Sequence, residues 1–421
     1  MTYVNAAGII HTKGESFNRG PFLGEHGQKI KSSIHKRKRG TFFMAESSTA
    51  KVAGWGTAFS VASVWFGTHV GGGFATGNQA IQYYVQFGWW AAFLPIVAMG
   101  ILALVLKEAM TMATTRNMYT YKEVFAELWA PYTKLELTME VFNFVIILAA
   151  VGAAVAGAAT LLTSFGIPYG LSVIIIGIIL VFLVIFGVGL IIKASAVMTI
   201  VILVSSFTMY FIGIANHWDA VAEAFTRPQT QIGRSIVQTI VYSGFQCVAV
   251  PSMIAAASVL NVKGVNRTSL LGWIMNGAAL AVSCVLLLGW YPDVVAAEQL
   301  TLPNLYVCNT LGIGILGICY QVSLFFAFIS TCVTTIFTMV QKFENKMLVN
   351  TVKNLKVRRV IVAIIVIAVC LCVSMVGLDN IIKYAYGYCG YLGIIVITIP
   401  MLTIGRSKNK KYIAEHPECV K

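Results

Sequence analysis

Two stretches of this chain hold residues whose types and spacing could do chemistry. The first reads Phe66-Gly67-Thr68-His69-Val70-Gly71-Gly72-Gly73-Phe74-Ala75-Thr76-Gly77-Asn78-Gln79, with five glycines in eleven positions. Each glycine costs about 1 kcal/mol in a helix relative to alanine, so a helix entering this stretch is expected to break. The second reads Tyr242-Ser243-Gly244-Phe245-Gln246-Cys247-Val248-Ala249-Val250-Pro251. Its proline lacks an N–H and clashes with the preceding turn. Backbone N–H groups freed at such a break can hold an anion such as a carboxylate, and freed carbonyls can hold a cation. On that reading Gly71, Gly72 and Gly73 receive the anionic end of a solute. His69, the one histidine inside an apolar segment, could carry a proton. Each feature also has a plainer explanation. Glycines such as Gly73 and Gly77 let helices pack closely, and a buried histidine can be neutral and hydrogen-bonded.

The elements that must position these residues are membrane spans. The chain has 421 residues, 58% hydrophobic and 11% charged, with a mean hydropathy of +0.79. Soluble domains carry about 25% charged residues. Runs such as 171–192, 196–214 and 360–376 are each long enough to cross a hydrocarbon core of about 30 Å. About ten segments emerge, near 53–87, 89–113, 136–163, 170–190, 194–215, 235–260, 267–290, 310–340, 358–377 and 382–404. The expected class is an all-α integral membrane protein.

The net charge of +14 could point to nucleic acid, but the lysines and arginines sit beside the ends of apolar runs, as topology signals do. Alternate loops hold Arg116, Lys122, Lys134, Lys193, Lys263, Arg267, Lys342, Lys346 and Arg358, while the others hold few cations. Ten spans with both termini cytoplasmic keep this alternation clean, and a cell membrane is the expected location. Residues 1–50 are polar and basic and read as a disordered cytoplasmic tail. A translation start at Met44 is the alternative reading, which an intact mass would decide. Residues 51–405 form the membrane domain, divided into repeats at 51–215 and 234–405, and 406–421 read as a cytoplasmic tail. No nucleophile–base set, metal motif, phosphate loop or dinucleotide fingerprint is present in the sequence, so an enzyme is not expected, nor a cofactor beyond a coupling ion.

The broken segments are the first and sixth of ten, so each opens a half of five. A pair of broken helices at matching places in two halves points to a transporter site at the repeat interface. The run Gly71–Gln79 resembles the Gly-Ala-Gly-Phe-Ala-Ser-Gly-Gln-Glu signature of YkvI-like bacterial membrane proteins, a group of the amino acid–polyamine–organocation superfamily. That resemblance implies the five-plus-five inverted repeat of the bacterial leucine transporter, with helices 1 and 6 interrupted and alternating access around a midplane site. Two departures stand out. Asn78-Gln79 replaces Gln-Glu and removes a carboxylate, and His69 stands where a small or β-branched residue is expected.

Similarity to sodium-coupled members assigns the carbonyls of Gly67 and Val70, the Ala327 carbonyl and the Ser330 and Thr331 hydroxyls to a sodium ion. Oxygen ligands suit that hard cation, although serine and threonine in membrane helices often bond to their own backbone. The resemblance also implies an aromatic lid at Phe245, a polar solute contact at Gln246, and a lysine on the fifth helix of proton-coupled relatives, here Lys193. The loop 300–305 resembles the extracellular re-entrant cap of that fold. The expected function is a secondary transporter, a symporter of an amino acid or similar small solute driven by sodium or protons. Its partners would be the lipid bilayer and that solute. A channel, or a membrane sensor or assembly protein using the same fold, is the alternative.

Overall fold

The computed structural model describes residues 54–227, 229, 231–343 and 348–420. The basic tail read at 1–50 lies outside the described residues. The first apolar segment is in three pieces, α1 (Trp55–His69), α2 (Gly72–Ala75) and α3 (Asn78–Tyr83). After two 3₁₀ turns come α4 (Leu94–Arg116) and the short α5 (Tyr121–Trp129). The rest of the first half is α6 (Leu137–Thr163), α7 (Tyr169–Phe182), α8 (Val188–Asn216) and the short α9 (Trp218–Ala224).

The second half repeats the plan. Its broken segment is α10 (Ile232–Phe245) and α11 (Val250–Ala256), followed by α12 (Val262–Ala296) and the short α13 (Pro303–Thr310). The long α14 (Gly314–Phe343) and α15 (Leu355–Ser374) come next. The last segment is one run from Leu378 to Glu415, built from α16 (Leu378–Asn380), α17 (Tyr386–Gly393) and α18 (Arg406–Glu415) with π-helical turns between them.

Among the described residues nine helices are long and apolar enough to cross a membrane. With the broken first segment they make the ten spans read from the sequence. The protein is a multi-pass, all-α membrane protein. Local chemistry marks the helix ends. A reciprocal capping box joins Thr120 and Glu123 at the start of α5. The side-chain oxygen of Asn261 accepts from the Gly264 N–H at 2.8 Å to open α12.

Large apolar side chains such as Ile178, Phe186, Ile200 and Phe211 point outward and are more than 60% exposed. A soluble surface would not carry so many, and in a bilayer they meet lipid. The reverse faces of these helices form one apolar core. The segment 406–415, within the stretch read as a cytoplasmic tail, is helical as α18. Its Asn409 is buried, donating to the Glu108 carbonyl at 2.9 Å, and its Lys408 donates to the Glu127 carbonyl at 2.7 Å. A polar terminus held by such bonds does not show in an apolar periodicity.

Candidate functional site

The first segment breaks twice, and neither break includes Gly67. That residue sits inside α1, exposed, in an unbroken helix. A single glycine is a penalty that packing readily offsets. The helix stops one turn later, where the Val70 N–H donates to the Phe66 carbonyl at 2.9 Å and the chain turns through Gly71. Four residues of α2 follow, then a second break at Gly77, whose φ of +81° favours glycine. A Cβ at Gly77 would also meet the Asn304 side chain. Asn304 enters from α13, its own N–H donating to the Thr76 carbonyl and its amide to the Ala75 carbonyl, both at 3.0 Å. These bonds supply donors to carbonyls that the broken helix leaves open.

The sixth segment departs from expectation in another way. Between Phe245 and Val250 the chain is not unwound but tightened into a 3₁₀ turn, Gln246–Ala249. Pro251 lies in the first turn of α11, where a missing N–H costs little. Gly244 serves packing: a Cβ there would strike the Gly390 carbonyl of α17, and one at Gly390 would strike the Val241 carbonyl. The two backbones touch.

These breaks organise a buried polar chain. His69 Nδ1 lies 2.7 Å from Asn276 Oδ1, and His69 Nε2 lies 2.9 Å from the Tyr242 hydroxyl. Tyr242 donates to Gln79 Oε1 at 3.1 Å and accepts from Gln246 Nε2 at 3.2 Å. Tyr83, Tyr84 and Phe245 pack around the Tyr242 ring at 4.8–5.2 Å. Phe245 stacks in turn on Tyr386 at 4.9 Å.

A cavity of about 450 Å³ reaches this chain. Gly71, Gly73, Gln79, Phe245, Gln246 and Thr331 line its inner part, and Tyr121, Thr338, Lys342 and Phe343 line its mouth. Gly73 leaves no room for a side chain, because a Cβ would overlap the Gln79 amide. At the mouth Glu140 accepts from Lys342, from Lys122 at 2.9 Å and from the Tyr121 hydroxyl at 2.8 Å. Burial, and then Glu140, push Tyr121 up to about 12, and the Glu140 hydrogen bond raises Lys122.

The opposite end of the bundle is tied shut. Asp379 accepts from Asn78 and, at 2.5 Å, from the Thr301 hydroxyl, while Asn78 also donates to the Leu300 carbonyl at 3.0 Å. The Tyr83 hydroxyl donates to the Ile382 carbonyl at 2.9 Å. One clasp thus joins α3, the loop before α13 and the last segment.

Of the residues read as solute contacts, Gly71, Gly73, Phe245 and Gln246 line the cavity, and Gly72 opens α2 beside them. Of the five sodium-like positions only Thr331 lines it. The Thr331 and Ser330 hydroxyls both donate to the Ala327 carbonyl, at 2.8 and 3.1 Å, which is the backbone bonding such residues commonly make. Val70 is buried at the break. A Cβ built on Gly71 would lie 3.9 Å from Thr331 Oγ1, so α14 does come against the first break. Lys193 is carried by α8, and its side chain lies outside the described residues. Sequence reasoning passed over Tyr242, Asn276, Asn304 and Asp379. Asn276 had a signal, an amide in the middle of an apolar span.

No family model matches the chain. The uncharacterized membrane protein YkvI of Bacillus subtilis (strain 168) is 35% identical over 69 residues, 16% of this chain and 20% of YkvI. The matched part is therefore about a fifth of that relative. Among solved structures, MhsT in complex with L-phenylalanine is similar with a TM-score of 0.55 at 13% identity, covering 86% of this chain and 98% of MhsT. The Eremococcus coleocola manganese transporter is similar with a TM-score of 0.52 at 16% identity, covering 87% and 93%. At these identities the likeness is one of fold, and the fold is that of the leucine-transporter class, ten spans in two five-helix halves with the first and sixth interrupted.

Proposed function

We propose that the protein is a secondary transporter, a cation-coupled symporter that moves an amino acid or similar small organic solute by alternating access. The observation that carries this reading is the one-sided cavity, which runs from one face of the bundle to both broken helices while Asp379, Asn78 and Thr301 clasp the other face. That is the form an alternating-access site takes when open to one side. A channel fits it less well, because a continuous pore needs both ends open.

The inner wall supports an organic solute rather than a bare metal ion. Glycine backbone, two glutamine amides, an aromatic ring and a single imidazole, that of His69, meet there, a donor set poor in the carboxylates and thiolates that hold divalent metals. In this reading the Gly71–Gly73 amides take a carboxylate, Gln246 adds a polar contact and Phe245 covers the solute. The coupling cation is placed either at the Val70, Ala327, Ser330 and Thr331 oxygens with Gly67, or as a proton at His69, with Lys193 as a second proton candidate. The short YkvI match and the Gly71–Gln79 motif support membership of the YkvI-like group. The cations around the mouth, Arg116, Lys122, Lys342 and Lys408, support a cytoplasmic mouth, cytoplasmic termini and residence in the cell membrane.

Equilibrium binding of a tritiated L-amino-acid mixture to the purified full chain in nanodiscs tests this. Saturable binding that weakens at least tenfold in Gln246→Ala is the expected result. No saturable binding of any amino acid would remove the amino-acid reading.

A further inference from the structure

With the Gln79 amide turned as the structure has it, the buried chain from Asn276 to Gln79 is one hydrogen short when His69 is neutral. Asn276 Nδ2 donates to the Gly272 carbonyl at 2.7 Å, which fixes the amide orientation and turns Oδ1 to His69 Nδ1. Nδ1 must therefore carry a hydrogen. A neutral imidazole then has a bare Nε2, which needs a donor, and the Tyr242 hydroxyl faces it at 2.9 Å. Tyr242 has one hydrogen, and Gln79 Oε1 at 3.1 Å asks for it as well. Gln246 cannot relieve the shortage, because it already donates to Tyr242. Adding a proton at His69 Nε2 gives every contact its hydrogen. His69 then donates to Tyr242, and Tyr242 donates to Gln79.

We infer that His69 binds a proton whose presence sets, through Tyr242, which edge of the Gln79 amide faces the cavity. With His69 protonated, Gln79 presents its N–H₂ edge toward Gly73, as the structure has it. With His69 neutral, Tyr242 gives its hydrogen to His69, and Gln79 turns over to donate to Tyr242, which brings its carbonyl edge to the cavity. His69 and Gln79 both line the cavity, so the proton has a wet route in and the solute meets the result. A solute with an acceptor at that edge, such as a carboxylate oxygen, binds the protonated form better. By linkage it also raises proton affinity. This coupling rests on the transporter reading above; the proton site itself does not.

Among the described residues, the titratable groups nearest His69 are phenols and thiols. Tyr242 contacts it from α10, and Tyr83 and Tyr84 of the first segment pack on Tyr242. Of the elements against α1, the 3₁₀ turn brings Cys247 and α11 brings no titratable residue. On α12, Cys284 lies near Tyr242. Lys263 and Arg267 lie toward the other end of α1, with Arg267 over Trp55. Tyr291 and Asp293 lie some 15 residues or more beyond Asn276, over 20 Å along the helix, where Asp293 pairs with His217.

The test is a pH titration of ring-¹⁵N-histidine signals of the full chain in lipid nanodiscs, with His69 identified by the signals lost in His69→Gln. The expected result is conversion from the neutral Nδ1–H tautomer to imidazolium as the pH is lowered from about 8 to about 3. Tyr242→Phe should lower the midpoint by about one pH unit, Gln79→Met should shift it, and Asn276→Asp should raise it. A His69 that keeps one protonation state across that range overturns the inference. So does a midpoint that ignores Gln79→Met. Should that variant not fold, the wild-type titration and Asn276→Asp still decide. The titration needs no transported solute. A sound relay with no uptake would therefore sink the transporter reading and leave the proton site standing.

Discussion

Gly73 and Gln79 share one volume. The glutamine amide occupies the space where any larger residue at 73 would put its Cβ. Gly73→Ala should therefore displace the Gln79 amide and disturb the inner wall. The expected readout is at least a tenfold loss of solute binding with the chain still folded, checked by size-exclusion profile and binding isotherm in parallel. Unchanged affinity would mean that the amide plays no part in the site. The residue types at this scale were partly legible. The glycine run and His69 stand out in any reading of the sequence, and four of the five proposed solute contacts line the cavity. The partners of His69 were not legible, because Asn276 and Tyr242 lie 207 and 173 residues away along the chain. No local pattern reports such a distance.

At the scale of elements, the two broken helices do different things. The first is opened twice and mended by Asn304 of α13, a residue that the sequence offers only as part of a proline-containing loop. The sixth is tightened, and its Gly244 is a contact point for α17 rather than a hinge. Local composition could locate both irregularities but could not tell unwinding from a 3₁₀ turn, since that choice depends on which carbonyls the neighbouring helices leave room for. Gly390→Ala should drive the added Cβ into the Val241 carbonyl and lower stability by about 1–3 kcal/mol, read as a lower melting temperature in detergent. A melting temperature equal to wild type would show that α10 and α17 can part without penalty.

For the whole molecule, the segment count followed from length and hydropathy, because a bilayer demands about 20 apolar residues per span. Which face is open was not readable, since the clasp at Asp379 is built from three separate elements. Asp379 should act as a latch, so Asp379→Ala should loosen the face opposite the mouth. Spin labels introduced as unnatural amino acids at the exposed positions Gln299 and Tyr384 would report a longer, broader distance in the variant than in the parent. Identical distributions would relieve Asp379 of that role. The nine native cysteines make thiol labelling unsuitable.

The central claim is that this cavity carries a solute across the membrane at the expense of a cation gradient. Its most direct measurement is uptake of a radiolabelled amino-acid mixture into proteoliposomes under an imposed proton gradient and, separately, an imposed sodium gradient. The account predicts accumulation driven by the proton gradient and lost in His69→Gln. Accumulation driven by sodium and lost in Thr331→Ala would keep the transporter and move the coupling site to α14. No accumulation under either gradient would contradict the account.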